Sequence, residues 1–423
     1  MAVINQSIGG GGANINGIIE QYRVAAGENI SAGDFVQFVH QVGSELNLGT
    51  QNSWAGISPT KAVQLDQNRV LVISESNILL VVTINGTQIS KGTAVQSLYF
   101  DSPYDAVLVD TDKLLFSYTN DSKCYCSIIT INNTDISVSS TEYIYEGTNS
   151  RTMCLLGENR VFIAHGIYSN QYLYGIIVTI NGTTITSGAD TMLSSEMYSN
   201  NVNDICLIDE DKVLIVYENN YGYFIIATAN ETNISVSSEI SMAGNSYDSY
   251  KIRAIDTNKI VVVKSYDSQS SNELYGAIGF INGSAITFHD WTEIAVPGND
   301  YNGKGFNIIV LSPNKIHVSF FSGTASNYMH PCGIIVYIDG TTCTQGIAVQ
   351  LGNYSNSSGI SSASVGSGII FVSYGYYTNS NGPTYFNGIV DSISTAIADP
   401  SNINGIAKAP GFQGEVIDVY VPE

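Results

Sequence analysis

The segment Ile205-Cys206-Leu207-Ile208-Asp209-Glu210-Asp211-Lys212-Val213-Leu214-Ile215-Val216-Tyr217 is two short apolar runs joined by an acidic turn. Brief Val/Ile/Leu-rich runs bounded by turn formers read as buried strands, so the segment is a β-hairpin. Its marker, Asn or Asp followed by Lys or Arg, recurs at Asn68-Arg69, Asp112-Lys113, Asn159-Arg160, Asn258-Lys259 and Asn314-Lys315, with a degenerate copy at Ser367-Gly368. Counted from position 69 to 368 the spacings are 44, 47, 52, 47, 56 and 53, as loop insertions around a fixed unit would give.

About 20 residues after each marker a further strand runs into a polar turn. Examples are Thr83-Ile84-Asn85-Gly86-Thr87, Thr179-Ile180-Asn181-Gly182-Thr183 and Phe280-Ile281-Asn282-Gly283-Ser284. Asn-Gly between β-rich runs predicts a second hairpin with a type I′ turn. Each unit is then four strands of roughly 48 residues, the period of a β-propeller blade. The expected fold class is all-β: a seven-bladed β-propeller over 62–399, inserted into a small split β-barrel or sandwich domain.

The ends of the chain fall outside the repeat. Residues 1–20, with Gly9-Gly10-Gly11-Gly12, read as a flexible arm. Residues 21–61 and 400–423 alternate strand and turn, and ring closure would bring them to one place, so they are read as one split β attachment domain.

Composition narrows function. The 423 residues carry 16 Lys+Arg against 37 Asp+Glu, a formal charge of −21, which disfavours broad contact with nucleic acid or anionic membranes. The N-terminal residues lack a basic and then apolar signal pattern, and no apolar run reaches the ~18 residues of a membrane span. Six dilute cysteines read as reduced thiols, and Cys124 and Cys126 as small core residues rather than a metal or redox pair.

No catalytic or metal constellation emerges from the motifs, and no cofactor is expected. The five histidines share no ligand spacing, and His317 falls inside a strand. Sialidase-type propellers need a central arginine cluster and repeated Ser-x-Asp-x-Gly-x-x-Trp turns; the five Arg here are scattered and that turn is missing. A carboxylate pair for glycosidase chemistry is not singled out among 37 acids, which leaves a propeller glycosidase as the remote alternative. The acidic turns Asp209-Glu210-Asp211 and Asp110-Thr111-Asp112 lack the spacing of a calcium loop. Tyrosines in the variable loops remain, since a rigid apolar ring bearing a hydroxyl suits adhesion to sugars or proteins. Tyr221, Tyr376 and Tyr377 are the candidate ligand-binding residues.

The flanking patterns Gly27-Glu28-Asn29-Ile30-Ser31-Ala32-Gly33-Asp34-Phe35-Val36, Gly405-Ile406-Ala407-Lys408 and Gly414-Glu415-Val416-Ile417-Asp418-Val419-Tyr420-Val421 resemble small β modules of tailed-phage virion proteins, of head-decoration and capsid-fibre types. The repeats resemble those of prophage-borne structural or tail-fibre-like proteins of low-GC Gram-positive hosts. This resemblance implies a non-enzymatic virion surface protein made in the host cytoplasm, most simply a capsid decoration protein displaying a propeller for adhesion. Implied partners are the major capsid protein or other virion proteins, further copies of this chain, and a host surface glycan or protein, with no nucleic acid and no membrane. Phe35, Val36, Phe38, Ile406, Val419 and Tyr420 are the implied attachment residues. The alternative is a receptor-binding protein of the tail fibre or baseplate.

Overall fold

The computed structural model describes residues 17–23, 35–37, 46–55, 59–74, 77–86, 88–96, 102–146, 151–157, 159–167, 171–195, 197, 202–219, 221–242, 249–268, 271–294, 301–322, 330–346, 348–351, 359–365, 369–377, 384–393, 404–407 and 416–422. The chain divides into two compact units, Leu46–Ile393 and a second made of Met1–Glu45 with Ser394–Glu423.

The larger unit is a β-propeller built, among the described residues, from seven antiparallel sheets and no helix. We number the sheets from the N-terminus by their first strands: Pro59–Gln64, Ser102–Asp110, Arg151–Gly157, Val202–Asp209, Ser249–Asp256, Tyr301–Ser312 and Ile360–Ser364. Each first strand packs against those of its two neighbours, and Ile360–Ser364 packs back on Pro59–Gln64. The second strands are mostly apolar and buried along nearly their whole length because both of their faces are covered. In Lys212–Asn219, for example, the six residues after Lys212 are buried up to Glu218. Core clusters alternate with the sheets; one joins Phe162 and Leu173 of sheet three to Val213, Ile215 and Ile225 of sheet four.

Both hairpin signals fall where hairpins form. In the first hairpin, Asp209 pairs with Lys212 and Asp110 with Lys113. The marker's Asn or Asp backbone carbonyl then accepts an N–H from the third strand, as from Ile131 to Asp112 and from Ala229 to Asp211, each at 2.8 Å. The degenerate copy lies one residue later than its sequence suggests, because Ile369 takes the place of Arg69: the Val365 N–H donates to Ile369 O as the Leu65 N–H does to Arg69 O, both at 2.9 Å.

The second hairpin corrects the expected turn. Asn181 pairs with Thr184, so the two loop residues are Gly182 and Thr183, and Gly182 has φ +64°. Type I′ needs positive φ at both loop positions, which a β-branched Thr resists. Positive φ falls on the first loop residue alone, as also at Asn133-Thr134 and Gly283-Ser284.

The outer strand is commonly broken in two. In sheet three both Thr184–Ser187 and Thr191–Ser194 pair with Tyr172–Asn181. Sheet seven differs in source, since its fourth strand is Leu46–Ala55, paired with Thr384–Ile393. The expected propeller boundaries of 62 and 399 are therefore revised. Leu46–Ala55 and Pro59–Gln64 belong to the propeller unit because their backbone groups complete the edges of its last and first sheets.

Neighbouring turns are also tied by charge. Arg69 of sheet one reaches sheet two, donating to Asp112 Oδ1 at 2.9 Å and Asn133 O at 2.7 Å. Arg160 of sheet three donates to Asp211 Oδ1 of sheet four at 2.8 Å. Among the first six markers the base is Arg where the next marker carries Asp, and Lys where the next carries Asn. A guanidinium fork suits a carboxylate acceptor.

The smaller unit contains one four-stranded sheet, ordered Gly17–Arg23, Val416–Pro422, Asn404–Ala407, Phe35–Gln37. Residues 17–20, expected in a flexible arm, are here a strand paired with Val416–Pro422.

Candidate functional site

The first strands carry one edge with no strand beside it, so their backbone N–H groups need other partners. Side chains supply them. At the position eight residues before each marker stand Lys61, Asp105, Thr152, Asp204, Lys251 and Asn307, with Ser361 at the matching register of sheet seven. All are polar, and together they form a ring around the channel.

Asp105 Oδ2 accepts the Met153 N–H of the next sheet at 2.8 Å and the Thr152 hydroxyl at 3.2 Å. Its Oδ1 pairs with Lys61 Nζ of the preceding sheet at 2.7 Å. Asp204 Oδ2 accepts the Ile252 N–H at 3.0 Å and Arg253 Nη1 at 2.6 Å. Ser361 Oγ accepts the Ala62 N–H at 2.9 Å, and Asn307 Nδ2 donates to Ser362 O and Oγ, both at 3.1 Å.

Five members of this ring, Lys61, Asp204, Lys251, Asn307 and Ser361, line a cavity of about 770 Å³. Three cations, Lys61, Lys251 and Arg253, and one carboxylate, Asp204, line it. Burial opposes ionisation of Asp204, but the Arg253 and Lys251 charges outweigh it and hold its carboxyl below the usual range. Desolvation likewise opposes the charge of the half-buried Arg253, yet Asp204 keeps its pKa raised. Cys154 and Cys206 sit on the same strand face, and burial pushes the Cys154 thiol up to about 12 and the Cys206 thiol higher.

A second repeated feature lies seven residues before the turn Asn of each second hairpin: Tyr125, Tyr174, Tyr223 and Tyr275, on sheets two to five. Each is half-buried on a third strand, opposite Tyr118, His165, Tyr217 and Lys264 respectively. The contact is nearly the same in every sheet. Ring centroids are 5.8, 5.8 and 5.9 Å apart in the first three pairs, and Lys264 Nζ lies 5.8 Å from the Tyr275 ring in the fourth. Acceptors accompany the tyrosines: His165 Nε2 lies 3.0 Å from Asp190 Oδ1, and Tyr275 OH donates to Glu273.

The expected ligand tyrosines are placed differently. Tyr221 opens the strand Tyr221–Asn230 opposite Asn219, and Tyr376 and Tyr377 end Ile369–Tyr377 opposite Tyr385 and Thr384. They are strand ends rather than loop residues, because the strands continue in register farther than the apolar runs do; their side chains lie outside the described residues. Of the implied attachment residues, the pairing places Phe35 opposite Ile406, Ile406 opposite Tyr420, and Tyr420 opposite Ile19. Val36 pairs with Gly405, and Val419 with Ala407 and Glu20. Phe38 is outside the described residues.

The cysteine pair falls in the core, as its sequence context suggests. Cys124 and Cys126 are fully buried in the apolar cluster between sheets two and three, with Arg151 close by. Burial raises the Cys124 thiol, yet Cys126 and the Arg151 charge together bring it below its ordinary value. Arg151 itself is buried and donates to Tyr145 Oη at 3.3 Å and Thr119 Oγ1 at 3.2 Å. The acidic turns spend carboxylates within the protein: Asp110 accepts the Thr111 N–H at 2.7 Å, Asp209 pairs with Lys212 at 2.9 Å, and Asp112 and Asp211 hold Arg69 and Arg160 of the preceding sheets. Among the described residues no group of three or more His, Cys, Asp or Glu is placed to hold a metal ion.

No protein-family model matches the sequence, and no curated protein matches it. Solved structures do. The WD40 β-propeller domain of Doa1 aligns with a TM-score of 0.51 at 12% identity over 84% of this chain and 99% of its own. A candidate 6-phosphogluconolactonase from Bacteroides uniformis aligns with a TM-score of 0.53 at 10% identity over 70% of this chain and 86% of its own. A protein from Lactobacillus plantarum gives 0.51 at 10% identity over the same shares. At such identities the likeness is one of fold, and it defines the larger unit as a β-propeller.

Proposed function

We propose that this chain is a non-enzymatic adhesion protein of a phage virion: the chain-end sheet attaches it to the particle, and a seven-bladed propeller inserted between the two halves of that attachment domain presents the binding surface. The virion setting rests on the resemblance of residues 27–36, 405–408 and 414–421 to decoration and capsid-fibre modules. Capsid decoration is the first reading and a receptor-binding tail fibre or baseplate protein the second. The observation that carries the adhesive role is the tyrosine row at 125, 174, 223 and 275. Four equivalent half-buried rings on adjacent sheets, with hydroxyl and carboxylate neighbours, offer repeated weak contacts to a glycan or protein surface. Copies on one particle multiply such contacts by avidity, on the order of 10²–10⁴. Binding without bond cleavage is supported by the channel carboxylates: Asp105 and Asp204 are each engaged by a cation and a backbone N–H, leaving neither poised as acid or base.

The test has two arms. Gold-labelled antibody against the full chain should decorate intact particles, and particles carrying Tyr174→Ala with Tyr223→Ala should adsorb to host cells at least about tenfold less. Unlabelled particles would remove the virion assignment. Normal adsorption by folded double-mutant protein would remove the adhesive one.

A further inference from the structure

We propose that the channel is a binding site for a small oxyanion, a carboxylate or phosphate compound, with Lys251 as its anchoring charge. This goes beyond the adhesive reading and does not depend on the tyrosine row.

Charge accounting across the ring leads there. Lys61 is taken by Asp105 at 2.7 Å, and Arg253 by Asp204 at 2.6 Å. Lys251 is the third cation. Its Nζ donates to the backbone carbonyl of Asn203 at 3.2 Å, and no carboxylate among the described residues lies within ion-pair distance. A carbonyl dipole does not neutralise an ammonium, so the wall of the cavity carries one uncompensated positive charge. That is notable in a chain of net charge −21, where a lysine out in solvent would be surrounded by acids.

The groups act on one another across the opening. Burial lowers the Lys251 pKa; Asp204 and, more weakly, Asp105 oppose that fall, while Arg253 and Lys61 add to it. Cations from sheets one and five therefore share one potential, and an anion between them relieves both. Arg253 adds directional donors, because its Nη1 alone is used by Asp204 and by Ile252 O, leaving Nε and Nη2 without an acceptor among the described residues. A guanidinium edge beside an ammonium is a common way to hold an oxyanion. The hydroxyl of Ser249 lines the same wall, and a volume of about 770 Å³ is within the range that encloses small ligands.

Isothermal titration calorimetry on the full chain, at low ionic strength, should give saturable one-to-one heat with citrate, with inorganic phosphate, or with both, and none with glucose. The identity of the responding anion separates carboxylate from phosphate recognition. Lys251→Gln should weaken the interaction about tenfold or more, and Lys251→Arg should keep most of it. Since Lys251→Gln also removes the contact to Asn203, lysine side-chain NMR of the unsubstituted chain provides a second measurement: the Lys251 signal should move on adding the responding anion. Absence of saturable heat with both anions, unchanged affinity in a folded Lys251→Gln protein, or an unmoved Lys251 signal would overturn the assignment. Tyrosine-dependent adsorption would survive each of these outcomes.

Discussion

The Ser361 hydroxyl accepts the backbone N–H of Ala62 at 2.9 Å, across 299 residues of sequence. The bond joins the first strands of sheets seven and one, where the two ends of the repeat meet. It repeats the way Asp105 receives the Met153 N–H and Asp204 the Ile252 N–H. Each junction of this kind satisfies an edge-strand donor with a side chain from the sheet before it.

Ser361→Ala should strand that buried N–H and destabilise the protein by about 1–3 kcal/mol. Ser90→Ala removes an exposed hydroxyl bonded to Thr83 O at 3.4 Å and should be nearly neutral. Urea denaturation of the two variants beside the parent checks the contrast.

Two glycines should respond to alanine for different reasons. A Cβ on Gly222 would lie 2.5 Å from Tyr250 Cζ, a fully buried ring with no room to retreat, so Gly222→Ala should cost about 1–3 kcal/mol or more. At Gly86 nothing lies within 4 Å, but φ is +58°, so Gly86→Ala should cost about 1–2 kcal/mol through backbone strain alone. Adding Tyr250→Ala should relieve part of the loss at Gly222 and none at Gly86, which a double-mutant cycle reads directly.

Acid should weaken the fold through His317. Its ring is fully buried in a strand, neither nitrogen has a partner among the described residues, and burial drives its pKa down to about 3. In the unfolded chain it titrates near 6.5, so the unfolded state gains a proton first as pH falls. The His317 contribution is complete above about pH 6.5 and declines by about 1.4 kcal/mol per pH unit down to about pH 3. His165, lowered by burial despite its Asp190 partner, acts in the same direction. His317→Leu should flatten the pH dependence between 6 and 4, as measured by thermal melts across that range.

The N-terminal boundary of the propeller unit can be tested by truncation. A chain starting at Leu46 keeps the outer strand of sheet seven and should melt cooperatively. One starting at Pro59 leaves the edge of Thr384–Ile393 unpaired, and should melt at lower temperature and self-associate. Circular dichroism melts and size-exclusion chromatography distinguish the two; equal behaviour would mean that Leu46–Ala55 adds nothing to the sheet.

What the sequence by itself determined is local. Lys212 and its counterparts mark hairpins because strand–turn–strand signals lie within about ten residues and rest on backbone preference and apolar runs. The tyrosine row was also legible, since Tyr125, Tyr174, Tyr223 and Tyr275 each stand seven residues before a turn Asn; the register of the second hairpin was the signal that would have found them. Only the tertiary structure could assign Leu46–Ala55 to the last sheet, because an outer strand supplied from the other end of the chain leaves no local trace. The same holds for the channel. Lys61, Asp105, Asp204 and Lys251 lie dozens of residues apart and look like scattered surface charge until ring packing brings their strands around one opening. There, distance and exclusion of water decide which carboxylate neutralises which cation, and leave Lys251 facing the cavity without one among the described residues.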